Sequence, residues 1–180
     1  MVMDQQQIIK AIQKWLTAFI IPYSICPFAK YVHEAGSIRY RVLKYDKIED
    51  ALVELIAECR YLDKEPSLET TLLILAGSRI QFDDFLDLTA MAEQLLLDQG
   101  YEGVYQLASF HPDYCFAGED ENDPANYTNR SPYPMLHIIR ETSIEQALKT
   151  YPSPELIPER NIELTRKLGL EKIRTILSAI

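Results

Sequence analysis

Thr70–Ala76 reads "TTLLILA". A short, unbroken apolar run of this kind is the pattern of a strand buried on both faces, with no polar side left for water. Such a strand needs helices above and below it, so the neighbouring segments decide the fold. Upstream, Ile48, Ala51, Leu52, Leu55, Ile56 and Cys59 recur at helical spacing, and Asp46 with Glu49 resembles a capping box. Cys59 on that face is expected in the core, since a free cysteine packs as a small hydrophobe. Downstream, "GSRIQFDDF" leads into a helix over about 82–99, stopped by Gly100.

Further out, Ile38, Tyr40 and Val42 alternate with Arg39, Arg41 and Lys44, which reads as a half-exposed strand over 37–45. "VYQLASF" (Val104–Phe110) and "MLHIIRE" (Met135–Glu141) read as the third and fourth strands. Ile8, Ile12, Trp15, Leu16 and Phe19 put an amphipathic helix over about 4–20. "IPYSICPFAK" interrupts it, and Pro27 after Cys26 suits the first turn of another helix. Ser143 with Gln146 is expected to open a helix. A last helix runs from about Asn161 to the end, bent at Gly169.

This order predicts an α/β sandwich in one domain, residues 1–180. Its centre is a mainly parallel sheet of about four strands with flanking helices, the last strand being free to run antiparallel. In such sheets ligands gather beyond the carboxyl ends of the parallel strands. His111 follows the third strand, and Ser78 and Arg79 follow the second. An antiparallel fourth strand would begin at the same edge, and the whole 111–134 connection would cap it.

Composition narrows the function classes. The hydrophobic fraction of 47% and charged fraction of 25% are those of a globular protein, large enough at 180 residues for a real core. A net charge of -9 argues against a nucleic-acid binder, which needs a basic surface to neutralise phosphates. It leaves room for a small anionic ligand held by local arginines. No apolar run reaches the roughly 18 residues of a membrane span, and "MVMDQQQIIK" lacks the order of a signal peptide. Cys26, Cys59 and Cys115 are odd in number and unrelated in spacing, which suits a reducing cytoplasm. Without a secretory signal, the sequon-like "NYT" and "NRS" carry no weight. No GxGxxG or P-loop occurs, so no cofactor is assigned. Nothing fixes an oligomeric state.

The connection "HPDYCFAGEDENDPANYTNRSPYP" is long for a compact domain, and loops of that length are used or disordered. Tyr114, Phe116, Tyr127 and Tyr133, with four prolines, argue for order. Arg130 is the strongest candidate in it. A guanidinium on a proline-stiffened loop offers a planar fork to a carboxylate or phosphate, and Asn129 and Ser131 add directional donors. The alternative is an internal salt bridge from Arg130 to Asp123 or Asp113. Asn126 and Asn129 equally suit turns, bonding their own backbone. Arg79 could assist the anion.

His111 could act as acid or base, with Asp113 orienting it, or could merely anchor the loop. His137 reads as a core or rim histidine, on the opposite face of its strand from Arg140. Cys26 is the candidate nucleophile, its thiolate favoured by a helix amino terminus. "CPFA" is not a CxxC redox pair. Cys115 has no assignable role. Glu119, Asp120, Glu121 and Asp123 raise the question of a cation site, which would draw in His111 and Asp113. "DENDPA" lacks the EF-hand glycine and no HExxH-like spacing occurs. The acidic cluster therefore reads as a solvated turn, and no metal ligand is assigned.

"CPFA", "ASFHPDY", "FAG" and "DPANYTNRSPYPMLHIIRE" together resemble the bacterial family of unknown function DUF1415. The likeness extends from the helix holding Trp15 to "PERN" and "LGL" near the end. It implies a bacterial cytoplasmic protein and brings no established activity. Two readings follow from the residues. In one, favoured at this level, the chain is an enzyme acting on a small anionic metabolite through Arg130, His111, Asp113 and Cys26. In the other it is a non-catalytic ligand sensor or protein-binding adaptor using the same loop.

Overall fold

The structure, a computed structural model, describes residues 4–45, 47–77, 80–149, 151–178 and 180. Asp46, Ser78 and Arg79, named above as a helix start and a ligand edge, lie outside the described residues.

Four strands form one sheet: β1 (Ile38–Tyr45), β2 (Thr70–Gly77), β3 (Tyr105–Phe110) and β4 (Met135–Arg140). Their spatial order is β1-β2-β4-β3. β1 and β2 pair in parallel, with Val42 opposite Ile74. β4 runs antiparallel to both its neighbours, with Met135 opposite Ile74 on one side and Phe110 on the other. The expected mainly parallel sheet is therefore a mixed one, with one parallel pairing among three. The reason lies in the connection. Chain leaving β3 turns within 111–134 at the edge where β3 ended, so its next strand must run back down. β4 carries apolar residues on both faces, and it inserts between β2 and β3 where both faces are covered. Met135, Leu136, Ile138 and Ile139 are all buried.

Side chains alternate across the sheet, so each strand feeds two cores. Leu73 and Leu75 of β2, with Leu136 and Ile138 of β4, meet Leu55, Leu62, Phe85 and Leu88. These come from α3 (Ile48–Lys64) and α4 (Phe82–Asp98), the helices of one face. On the other face, Leu72, Ile74 and Met135 meet Ile12, Trp15, Phe19 and Ile173. α1 (Gln5–Trp15) supplies Ile12 and Trp15, and a π-turn at Leu16–Ile20 supplies Phe19. Full burial of one such side chain contributes roughly 1.5–3 kcal/mol. α2 (Pro27–Glu34) lays Phe28 and Val32 against Ile139.

α5 (Glu141–Leu148) starts directly after β4, with Arg140 at its amino-terminal cap. Ser143 therefore lies inside its first turn rather than at the cap, and its hydroxyl donates to Glu69. The expected bent last helix is two helices, α6 (Ile157–Leu168) and α7 (Leu170–Leu177). They break at Gly169, whose φ of 78° few other residues adopt.

Arginines lock the sheet to α3: Arg41 of β1 donates to Glu54 at 2.5 Å, and others add to it. Arg39 donates to Glu58 at 2.7 and 3.1 Å, and Thr71 adds a third bond at 3.2 Å to a carboxylate that is only 3% exposed. Arg140 donates to the carbonyl of Leu62 in the last turn of α3, where a cation meets the helix dipole, and to that of Leu68 in the connection before β2. Among the described residues no helix is long and apolar enough to cross a membrane.

Candidate functional site

The 111–134 connection is ordered from within. A 3-10 turn at Pro124–Thr128 buries Ala125, Asn126, Tyr127 and Thr128 beneath the loop. Asn126, fully buried, is its hub. The Oδ1 accepts from the Phe116 N–H at 2.9 Å, and the Nδ2 donates to the Asp120 carbonyl at 2.9 Å. Asn129 bridges back to β3, its Nδ2 donating to the Ser109 carbonyl at 3.3 Å. The N–H of His111 donates to the Asn129 carbonyl at 3.2 Å, which closes the base of the loop. The two asparagines thus shape the loop, though through backbone partners up to 20 residues away rather than the adjacent backbone of the turn reading.

Arg130 is half-buried on this frame. Its Nε donates to the Tyr114 carbonyl and one Nη to the Glu121 carbonyl, both at 2.8 Å. Its guanidinium lies over the Tyr127 ring, 4.9 Å from the centroid, within cation–π range. Among the described residues no carboxylate comes within ion-pair distance of it. The expected alternative, a pair with Asp123 or Asp113, does not form, and at Asp123 a different cation takes the position. Arg166 of α6 reaches Asp123 at 2.7 Å and Glu119 at 3.2 Å. Arg166 holds the Asp123 carboxyl below its ordinary range, with the Ala125 N–H helping. The acidic turn is thereby clamped to α6. Among the described residues no group of three or more histidine, cysteine or carboxylate side chains is placed to hold a metal ion.

His111 is 1% exposed and wedged between rings, 5.4 Å from Phe82 and 5.1 Å from Phe85. Its Nδ1 accepts the Asp113 backbone N–H at 3.1 Å, so the ring proton sits on Nε2 and points to the Ile80 carbonyl, also at 3.1 Å. Both ring nitrogens face backbone, and the imidazole ties the loop to the approach of α4. Ser131, buried, donates its hydroxyl to the Tyr133 carbonyl at 2.6 Å.

Cys26 caps α2 as the sequence suggested. Its thiol goes the opposite way from the expected activation. Burial pushes its pKa up, and the N–H groups of Phe28 and Ala29 only partly offset that. Burial likewise lowers His137 to about 4, keeping it neutral, with its Nε2 buried and unpartnered among the described residues.

Among the described residues, two cavities adjoin the loop, one lined by Tyr127, Arg130 and Ser131 and the other by Thr128 and Asn129. The first, about 380 Å³, is walled by Trp15, Pro112, Tyr127, Arg130, Ser131 and Tyr133. The second, about 320 Å³, holds Cys26, Phe110, Phe116 and Asn129. Cys26 and Arg130 therefore belong to different spaces, and His111 and Asn126 line neither. The residues expected to act together are divided, and what remains in one place is Arg130 among aromatic rings.

Trp15 is the wall residue that sequence reasoning assigned to the core alone. It is 2% exposed, and its Nε1–H has no acceptor among the described residues. Helical periodicity placed the ring correctly, but no sequence signal shows whether an indole N–H finds a partner.

The chain belongs to the family described as protein of unknown function (DUF1415), whose family model matches residues 7–175. No curated protein and no solved structure matches it.

Proposed function

For a member of a family whose description assigns no activity, we propose that the chain binds a small anionic ligand in the cavity walled by Trp15, Tyr127, Arg130 and Tyr133. One observation carries this reading. The Arg130 guanidinium is half-buried, aimed by two backbone carbonyls, and has no carboxylate to balance it among the described residues. A fixed, uncompensated cation beside apolar walls is a pre-organised receptor for an anion. The volume is in the range of small-molecule sites.

Binding is favoured over catalysis because the usual acid–base and nucleophilic groups are otherwise engaged. His111 spends both ring nitrogens on backbone, Ser131 bonds Tyr133, and Cys26 opens on the second cavity with its thiol protonated. The chain acts in this reading as a ligand sensor or carrier.

Thermal shift against a panel of small carboxylates and inorganic phosphate tests the proposal. A ligand at 100 times its Kd stabilises by about 2.7 kcal/mol, roughly 5–10 °C for a chain of this size. Arg130→Gln should abolish the shift. Arg166→Gln loosens the same loop without touching the cavity and should keep it. Loss of the shift in both variants, or in neither, would refute the assignment to Arg130.

A further inference from the structure

We propose that the second cavity, the one holding Cys26, is a separate binding site for an uncharged apolar small molecule of one or two rings. Its volume, about 320 Å³, is in the range of small-molecule sites. Ile20, Ile25, Phe110, Phe116, Ile157 and Ile162 supply apolar walls, and among the described residues no charged side chain lines it. A charged ligand would lose its hydration there and gain no counter-charge in return. The polar side chains of the wall are already engaged within the protein. The Thr128 hydroxyl donates to the Ala125 carbonyl at 2.9 Å, and the Asn129 Nδ2 donates to the Ser109 carbonyl at 3.3 Å. The Asn161 Nδ2 donates to the Ile25 carbonyl at 2.7 Å, while its Oδ1 accepts from Arg160 at 2.8 Å. Burial keeps the Cys26 thiol protonated and so uncharged.

The walls are braced against collapse. Ile157, Pro158, Asn161 and Ile162 fall on one face of α6, since positions three and four apart are neighbours on a helix. The Asn161 bond to Ile25 pins that helix beside the cavity, and Arg166 on Asp123, at 2.7 Å, pins its last turn to the loop. Protein interiors seldom leave a void larger than a water molecule. Water gains little in this one, because a bound water wants two to four polar partners. An engineered cavity of about 150 Å³ with Leu, Ile and Phe walls stays dry and binds benzene, and this one is roughly twice that size. The ratio sets the ligand at one or two rings. Arg130 walls the other cavity, so this site stands or falls without it.

Toluene and benzoate make the test, since they share a ring and differ in charge. In protein carrying ¹³C at the isoleucine δ-methyl groups, toluene should shift Ile20, Ile25, Ile157 and Ile162. Ile56 and Ile138, in the core on the other face of the sheet, should stay in place. Benzoate should leave the first four methyls unmoved. At about five times its Kd, toluene should slow the reaction of iodoacetamide with Cys26 about sixfold, by occupying the space beside it. Cys115, which lines neither cavity, should react as before. Ile162→Phe, at a half-buried position, puts a ring into the space and should weaken toluene at least about tenfold. Arg130→Gln should leave toluene binding unchanged.

Toluene that moves none of the four methyls up to its solubility, or moves Ile56 and Ile138 equally, would overturn the proposal. So would benzoate binding there as tightly as toluene, or a Cys26 rate unchanged by toluene. Loss of toluene binding in Arg130→Gln would overturn the separateness of the two sites. Should Ile162→Phe fail to fold, the methyl shifts and the Cys26 rate in the unaltered protein decide.

Discussion

Replacing Asn126 by alanine should unfold the protein at markedly lower temperature, although position 126 lies in a connection between strands. The side chain is fully buried and spends both ends of its amide on backbone. Alanine would leave the Phe116 N–H without its partner, whereas the Asp120 carbonyl would keep the Asp123 N–H, which donates to it at 2.9 Å. A buried group left unsatisfied costs about 1–3 kcal/mol. That one loss amounts to roughly 2–12 °C in Tm for a chain of this length. Asn126→Asp should be worse, because it keeps the acceptor for Phe116 but sets a carboxylate against the Asp120 carbonyl and buries a charge. Urea unfolding monitored by circular dichroism measures the loss, and the midpoint should fall with little change in m. If Asn126→Ala cost less than about 0.5 kcal/mol, or Asn126→Asp were the milder change, the amide would not be the hub of the loop.

Two further expectations concern titrating groups. His137 is held neutral, with its pKa lowered from 6.5 to about 4 by burial. A folded-state value below the unfolded one means stability is complete above about pH 6.5 and drains away as pH falls toward 4, by roughly 3 kcal/mol. His137→Leu should flatten that slope in urea midpoints taken between pH 4 and 7, and an unchanged slope would move its origin elsewhere. Cys26 should alkylate with iodoacetamide more slowly at neutral pH than a free cysteine, since burial keeps the thiol protonated. Peptide mass spectrometry reads this site by site, with Cys59, pushed up to about 12, as an internal slow standard. Rapid neutral labelling of Cys26 would restore it as a nucleophile.

Much of this molecule is local and therefore legible in the chain. The apolar run at Thr70–Ala76, the alternation in Ile38–Tyr45 and the 3.6-residue stripes of α1 and α3 each fix an element within a dozen residues. The tyrosines and prolines of 111–134 sufficed to show an ordered loop, because disorder cannot hold so many rings. The block from Asp123 to Glu141 sufficed to point to the family. What tertiary structure decided is pairing between distant residues. β4 sits between β2 and β3 rather than at an edge because both its faces needed cover, and pairing order is not written in a strand's own pattern. Arg130 was legible as a candidate. Its freedom from a carboxylate was not, because that depended on Arg166, 43 residues beyond Asp123, reaching Asp123 first. His111 looked like a base until the fold brought the Ile80 carbonyl to its second nitrogen, 31 residues away in sequence. Trp15 was placed in the core by periodicity, yet whether its N–H has an acceptor depends on every element packed around it. Residue type and spacing set what each side chain can offer, and only the folded chain sets which offers are already taken.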